Sequence, residues 1–236
     1  MKNINQAISD LTFKELTPFG LTILSGTSGC GKTIFAQQYA YETLQDGGKV
    51  LWIATEELPQ TIRTGMVKFG WQIDRYESQG KFQFIDAVSP ARLGMAESIG
   101  NGVLGLDPTG MLIVVTEQLK QMVSSHELGK FLIVLDSVSR LLLSCDSKSV
   151  IDFISCLSSR LENFQTRGIA TVSEGAHDDR TLNALSFSGI GTFRFRISEI
   201  NGERIRQFRI ETLKGRRHDD SWKNYLITNT GLDIEV

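Results

Sequence analysis

A glycine-rich octapeptide near the start of the chain is the feature that most restricts the possible folds. Residues Gly26 to Thr33 read GTSGCGKT and match the pattern GxxxxGK followed by Ser or Thr. The apolar run Leu21 to Ser25 before it predicts a buried strand, and Ile34 to Leu44 after it has helical spacing. A strand, a glycine-rich turn and a helix in this order predict a loop that binds nucleotide phosphates.

The octapeptide supplies three kinds of group to a bound triphosphate. Its glycines let backbone N–H groups approach phosphate oxygens, and the N-terminus of the following helix adds partial positive charge. Lys32 is expected to reach the β- and γ-phosphates, and Thr33 to supply a hydroxyl group to Mg²⁺. We therefore predict that the whole octapeptide binds nucleotide: Gly26, Thr27, Ser28, Gly29, Cys30, Gly31, Lys32 and Thr33.

Strand and helix patterns alternate along most of the chain, which predicts an α/β fold with a mostly parallel sheet covered by helices on both faces. The further predicted parallel strands are Val50 to Ala54, Phe82 to Asp86, Phe131 to Leu135 and Ile169 to Ser173. The predicted helices run from Pro59 to about Trp71, from Met111 to about Glu127 and from about Lys148 to Thr166.

After Ser188 the apolar period changes to two, which predicts an antiparallel extension of the sheet. Its predicted strands are Phe193 to Ile197, Arg204 to Leu213, Lys223 to Thr228 and Leu232 to Val236. Val88 to Gly110 has little periodicity and predicts a long surface loop. With no linker or repeat to divide the chain, residues 1–236 are expected to form one domain.

Carboxylates and one serine follow the predicted strands. Asp136 ends the apolar run FLIVL, where it is expected to bind magnesium, although it could instead cap the next helix. Glu56 and Glu57 follow another strand and could orient the attacking water or complement a helix dipole. Ser173 could sense the γ-phosphate or be satisfied by backbone groups.

The C-terminal part of the chain is locally basic although the whole chain is not. The 25 Lys and Arg against 27 Asp and Glu give a net charge of −2, which disfavours non-specific binding to polyanions. Most basic residues between Arg194 and Lys223 alternate along strands and predict a solvated face. Lys214 to His218 (KGRRH) concentrates charge in a turn, and could contact a neighbouring subunit's nucleotide, a nucleic-acid backbone or only solvent.

Membrane insertion and secretion are not expected from the sequence. No apolar run approaches the ~20 residues of a membrane span, and the start of the chain lacks the pattern of a signal peptide. The three cysteines, Cys30, Cys145 and Cys156, have no metal-binding spacing and suit a reducing compartment. We therefore expect a cytoplasmic protein.

Several motifs in order resemble the KaiC-like branch of the RecA superfamily of ATPases. They are LSGTSGCGKTIFAQQYAYETL, VLWIATEELPQTIRTGMVKFGWQI, GKFQFIDA, FLIVLDSVSRLL, FRIETLKGRR and NYLITNTGLDI, which together span most of the chain. The resemblance implies a RecA-like core that assembles into rings, usually hexamers, with ATP and Mg²⁺ between subunits. It also implies that Glu56 and Glu57 carry the catalytic carboxylate, and that Lys214 and Arg216 reach the γ-phosphate bound by the neighbouring subunit.

These features predict a slow ATPase that regulates or signals to an unidentified partner protein, and two other functions stay open. One is a scaffold that binds ATP without turnover and resembles the archaellum accessory ATPase, which the intact Glu56-Glu57 pair disfavours. The other is a recombinase-like DNA-binding ATPase. The stretch after Ser173, EGAHDDRTLNALSFSG, has three acids and one arginine, so DNA is a poor candidate ligand.

Overall fold

The computed structural model describes residues 4–12, 18–89, 107–122, 129–200 and 202–235, and places the strands of this part in one sheet. These strands are β1 (Gly20–Gly26), β2 (Lys49–Ala54), β3 (Phe82–Asp86), β4 (Phe131–Asp136), β5 (Arg167–Ser173), β6 (Gly191–Ile200), β7 (Glu203–Leu213), β8 (Lys223–Thr228) and β9 (Gly231–Ile234). Most of the predicted loop from Val88 to Gly110 lies outside the described residues.

Helices precede and connect the strands of the parallel part. They are α1 (Ile4–Leu11), α2 (Lys32–Gln45), α3 (Pro59–Lys68), α4 (Asp74–Ser78), α5 (Pro108–Met122), α6 (Val138–Ser144), α7 (Ser147–Asn163) and α8 (Asp179–Ser188). Among these ranges, none is both long and apolar enough to cross a membrane.

The sheet has the order β3-β2-β4-β5-β1-β6-β7-β8-β9. The strands from β3 to β6 in that order are mutually parallel, and β7, β8 and β9 continue the sheet in antiparallel pairing. This arrangement confirms the predicted α/β class and the antiparallel ending. Strand β6 has the period-two pattern and pairs antiparallel with β7 on one side, but it pairs in parallel with β1 on the other side.

Parallel pairing brings the carboxyl ends of the central strands to one edge of the sheet. Gly26 of β1 lies opposite Ser173 of β5, and Ala54 of β2 lies opposite Asp136 of β4. The loop after β1 and the residues after β2 therefore open at the same edge, where ligands of open α/β sheets generally bind.

Apolar residues cover both faces of the sheet. On one face, helix α2 inserts Phe35, whose ring packs edge-to-face against Phe195 at 5.3 Å between centroids. On the other face, α5, α6, α7 and α8 pack against β1, β2, β4 and β5 in a second buried cluster. These two layers hold the parallel strands, and hence the loops at their ends, in a fixed arrangement.

The antiparallel extension has a polar face. Arg196 lies over the ring of Trp222 at 3.8 Å and Arg209 at 4.7 Å, measured from the guanidinium carbon to the ring centroid. Arg196 also donates to Gln207 Oε1 at 2.9 Å. The alternating basic residues predicted for these strands thus lie side by side on a surface that holds aromatic and amide partners.

Candidate functional site

A cavity of about 250 Å³ opens at the carboxyl edge of the parallel strands. Residues from the octapeptide, α2, three strand ends and β8 line it. They are Ser28, Gly29, Gly31, Lys32, Thr33, Ile34, Glu56, Glu57, Asp136, Ser137, Thr171, Ser173 and Ile227. The cavity therefore combines residues that are separated by up to about 200 positions in the sequence.

The octapeptide forms a turn that leads into α2, whose first two residues are Lys32 and Thr33. Gly29 and Gly31 have φ values of 75° and 98°, which disfavour a side chain, and Gly31 is the N-cap of α2. The Lys32 ammonium donates to the carbonyl oxygens of Gly26 at 2.7 Å and Thr27 at 2.9 Å. The cation is thus held by the loop itself at the wall of the cavity.

Cys30 contributes to the turn through its backbone. Its side chain is fully buried, and burial raises the pKa of its thiol although the Lys32 ammonium opposes that rise. The Tyr225 hydroxyl of β8 donates to the Cys30 carbonyl oxygen, and burial raises the pKa of that phenol. The C-terminal extension therefore supports the loop from outside. Cys30, Gly26 and Thr27 do not line the cavity, so their predicted contact with nucleotide stays a prediction.

Asp136 is a buried carboxylate at the base of the cavity. Its Oδ1 accepts hydrogen bonds from Thr33 Oγ1 at 3.3 Å and from Thr171 Oγ1. Burial raises its pKa to about 6, and the nearby Glu56 and Glu57 carboxylates add to this effect while the two threonine hydroxyls oppose it. Helix α6 begins after Ser137 without a side-chain cap, so Asp136 does not act as the cap of that helix.

The donor set at Asp136 suits magnesium. A hydroxyl and a carboxylate are hard oxygen donors, and Mg²⁺ is commonly bound by one or two protein groups together with substrate phosphates. The described residues contain no group of three or more His, Cys, Asp or Glu that could hold a metal ion unaided. Thr33 and Asp136 thus fit a magnesium ion that is shared with a nucleotide.

Glu56 and Glu57 lie at the mouth of the same cavity and are exposed. Glu56 Oε2 accepts a hydrogen bond from Ser137 Oγ at 2.5 Å, which fixes that carboxylate beside the end of β4. The Thr55 backbone N–H donates to the Asp136 carbonyl oxygen at 3.0 Å. This hydrogen bond continues the pairing of β2 and β4 one residue beyond the end of β2. Helix α3 begins after Leu58 without a side-chain cap.

Sequence reasoning missed several residues of the cavity. Thr171 donates to Asp136, Ser137 donates to Glu56, and Ile34 and Ile227 form apolar parts of the wall. Ser137 directly follows Asp136, and Thr171 is a polar residue within an apolar strand, so both had a local signal. Ser173, which was predicted, lines the cavity, and its N–H donates to Ser139 Oγ at 2.8 Å.

Lys214 and Arg216 lie at the opposite edge of the sheet. The Lys214 ammonium donates to the Phe187 carbonyl oxygen at 2.8 Å, and the Lys214 N–H donates to Ile190 O at 2.8 Å. Ile190 in turn donates to Leu21 O at the start of β1. At about 3.3 Å per residue, β1 separates this edge from the octapeptide by ~17 Å. The structure therefore does not bring these two cations to the cavity of their own subunit.

Comparison with known proteins places the chain among ATPases. A sequence profile described as "ATPase: KaiC" matches residues 13–236. A UPF0273 protein of Aeropyrum pernix is 28% identical over 231 residues, which are 96% of this chain and 90% of that protein. A UPF0273 protein of Thermotoga maritima is 28% identical over 218 residues, which are 91% of this chain and 86% of that protein.

Two further matches come from proteins named after KaiC. The circadian clock protein KaiC3 of Synechocystis is 42% identical over 66 residues, which are 28% of this chain and 13% of that protein. The crystal structure of a KaiC-like protein from Pyrococcus horikoshii has a TM-score of 0.77 and 20% identity, and covers 97% of this chain and 94% of that chain. The structural match supports the fold, and the profile match extends over most of the sequence.

Proposed function

The chain belongs to the KaiC-like ATPases and has their RecA-like fold, and from this premise we propose that it hydrolyses ATP slowly in a ring whose subunits share each ATP site. The ring is proposed to be a hexamer, and hydrolysis to regulate a partner protein in the cytoplasm. One observation carries the proposal: Lys32, Thr33, Asp136, Glu56 and Glu57 surround a single cavity at the carboxyl edge of the sheet.

The residues of the cavity divide into binding and catalytic groups. The loop N–H groups and Lys32 would bind the phosphates, and Thr33 and Asp136 would hold Mg²⁺, which supplies positive charge to the phosphate oxygens. Ser173 lies where it could donate to a terminal phosphate. The exposed carboxylates of Glu56 and Glu57 are the groups available to orient or deprotonate water at the cavity mouth.

Replacing both glutamates tests the hydrolytic part of the proposal. Loss of a general base typically costs about 10²–10⁴ in rate. We expect Glu56→Gln/Glu57→Gln to lower the steady-state ATPase rate by about that factor and to keep its ATP affinity in calorimetry. A parent protein without turnover would instead favour the scaffold function, and undiminished turnover in the variant would remove the catalytic role of the pair.

Lys214 and Arg216 are proposed to act on the γ-phosphate bound by a neighbouring subunit. These two residues lie at the edge where β1 starts, and the phosphate loop of the same subunit lies at the other end of β1, ~17 Å away. This separation supports an action in trans. Cations placed on a transferring phosphoryl group across an interface stabilise transition-state charge only after assembly. The ATPase rate should therefore rise faster than linearly with protein concentration.

Mixing two inactive variants tests this action directly. Subunits with Lys214→Ala/Arg216→Ala retain Glu56 and Glu57, and subunits with Glu56→Gln/Glu57→Gln retain the two cations. Mixed rings contain complete sites at some interfaces, so the mixture should recover part of the ATPase rate. A mixture that co-assembles by light scattering and remains inactive would exclude the contact in trans.

A further inference from the structure

A row of polar residues crosses the sheet from the phosphate loop towards the segment Lys214–Arg216. Ser25 of β1 lies opposite Arg194 of β6, and Arg194 lies opposite Arg209 of β7. Two like charges directly opposite each other in antiparallel strands repel unless acids compensate them. Glu174, just after β5, and Glu211 of β7 supply that compensation, so the row is an alternating array of charges.

The first contacts of the row are made to the phosphate loop. The Glu174 N–H donates to the Gly26 carbonyl oxygen at 3.0 Å, and Glu174 Oε1 accepts from Ser25 Oγ at 2.8 Å. The Gly26 carbonyl is also one of the two carbonyls that hold the Lys32 ammonium. Glu174 and the Lys32 ammonium therefore share the Gly26 carbonyl oxygen as an acceptor, so a displacement of Lys32 would be felt at a group that Glu174 contacts.

The remaining contacts lead away from the loop. Arg194 Nε lies 3.1 Å from Glu174 Oε1, and Arg194 Nη1 lies 2.9 Å from Glu211 Oε1. Arg209 Nη2 donates to the same oxygen of Glu211 at 2.7 Å. Glu211 stands three residues before Lys214 on the same strand and turn. Arg194 is thus the single side chain that contacts both acids in the described part of the structure.

Beyond relieving the repulsion between Arg194 and Arg209, the ion pairs of this row add little to the stability of the fold. The side chains of Glu174, Arg194 and Glu211 are 25%, 38% and 24% exposed, and ion pairs between such partly exposed groups contribute little to folding. The charge contacts extend from the phosphate loop as far as Glu211, which is joined to Lys214 by the backbone of β7 and the following turn. Side-chain contacts that continue into a strand in this way can carry energetic coupling between two sites.

We propose that Glu174, Arg194 and Glu211 form a coupling path through which ATP in the cavity of a subunit changes the position of that subunit's own Lys214–Arg216 segment. Release of Lys32 from Gly26 on phosphate binding would alter the Glu174 contacts, and Arg194 would pass the change to β7. The coupling rests on the proposed ATP binding. In a ring it would make each occupied site adjust the cations that serve the next site, so Arg194 would be a positioning residue.

Amide hydrogen exchange in single subunits tests the coupling without relying on assembly or hydrolysis. The N–H groups of Lys214 and Arg216 donate to Ile190 O and Leu213 O, so their exchange rates report on the segment. Exchange is measured with and without saturating Mg-ATP, at a protein concentration where light scattering gives the mass of one subunit. Arg194→Gln is compared with Arg196→Gln, which loses the same charge on the same strand but contacts Gln207 and Trp222 instead.

The expected result is specific to Arg194. In the parent and in Arg196→Gln, Mg-ATP should change the exchange rate of these amides about fivefold or more, as an ordinary allosteric coupling would. In Arg194→Gln the change should fall below about twofold although calorimetry shows ATP bound, and Arg194→Lys should recover part of the parent response. Glu211→Gln, which removes the other end of the Arg194 contact, should behave like Arg194→Gln.

Two results would overturn the coupling path. One is a parent segment whose exchange does not respond to bound ATP, and the other is an Arg194→Gln response equal to that of Arg196→Gln. Either result would leave the proposed ATPase intact, because the mixing and rate measurements above do not depend on it. Failure of the parent to bind ATP at all would reject the proposed function, and the coupling with it.

Discussion

Replacing Asp136 by asparagine would measure how much the buried, ionised Asp136 carboxylate lowers the free energy of unfolding when no ligand is bound. Burial, with smaller effects of Glu56 and Glu57, raises the pKa of Asp136 from 3.8 to about 6. One pKa unit corresponds to about 1.4 kcal/mol, so keeping this carboxylate ionised at neutral pH costs the folded protein about 3 kcal/mol. The asparagine carbonyl can still accept from Thr33 and Thr171, and the neutral amide removes the repulsion from Glu56 and Glu57. We expect Asp136→Asn to raise the free energy of unfolding by about 1–3 kcal/mol.

This gain should depend on pH with a definite sign. Below about pH 4 the Asp136 carboxyl is protonated in both the folded and the unfolded parent, and carries no penalty. Between about pH 4 and 6 the folded parent retains a proton that the unfolded chain has lost, so its stability falls as pH rises. Above about pH 6 the penalty is complete. The difference between variant and parent should therefore grow from pH 4 to 6 and then remain constant.

Urea unfolding followed by tryptophan fluorescence at about pH 4.5 and pH 8 measures this difference. Asp86→Asn is a matched control, because Asp86 ends β3, which lies two strands from β4 in the sheet, and accepts hydrogen bonds from the N–H groups of Val88 and Ser89. It should not stabilise the protein. With Mg-ATP present, the parent should have the larger free energy of unfolding. A neutral amide cannot neutralise the charge of the magnesium ion, so Asp136→Asn should be stabilised less by the ligand. Equal stabilities at pH 8, or a gain that is the same at both pH values, would refute this account of Asp136.

Two further substitutions test the phosphate loop and its surroundings. Lys32→Ala should abolish ATP binding because it removes the ammonium that pairs with the phosphates, and unchanged affinity in calorimetry would contradict the assignment. Gly231→Ala should lower the free energy of unfolding by about 2–4 kcal/mol, since Gly231 has a φ of 123° and a Cβ there would lie 2.3 Å from Gln38 Oε1. Gly175→Ala, at a φ of 82° with no atom within 4 Å, is the control and should cost only about 1 kcal/mol in the same urea experiment.

Local patterns predicted the regular part of the fold well. Strands β3 and β8 have the bounds that their sequences predict, because polar residues or glycine limit each run of alternating or apolar residues. Helix α1 was not predicted, although Ile4, Ala7, Ile8 and Leu11 have helical spacing and are buried. Its N-terminal N–H groups bind a distant side chain, since Glu42 accepts from Ile4 N at 2.8 Å and Asn5 N at 2.9 Å. Such a contact has no local signal.

The cavity residues that follow the ends of strands could be predicted from the sequence. Those whose position depends on the order of strands in the sheet could not. Asp136 and Glu56 were expected near the phosphate loop because the carboxyl ends of parallel strands meet at one edge. Thr171 stands out as a polar residue in an apolar strand, but its contact with Asp136 was not predicted. That contact requires β5 to lie beside β4, and no local pattern specifies which strands are neighbours. The position of Lys214 could not be predicted from local patterns either. Only the pairing of β6 with β1 and with β7 shows that Lys214 lies at the edge of the sheet opposite the phosphate loop.

The position of β1 has a consequence for how the chain is made. The two neighbours of β1, β5 and β6, end at Ser173 and Ile200, whereas β1 itself ends at Gly26. A ribosome adds about 5–20 residues per second, so the strand that carries the phosphate loop would wait about 10–35 s for its second neighbour to be synthesised. Until Ser173 is synthesised, both edges of β1 lack their native partners, and the edge that pairs with β6 lacks its partner until Ile200. The nascent chain is thus most exposed to misassembly at the strand on which the nucleotide site depends.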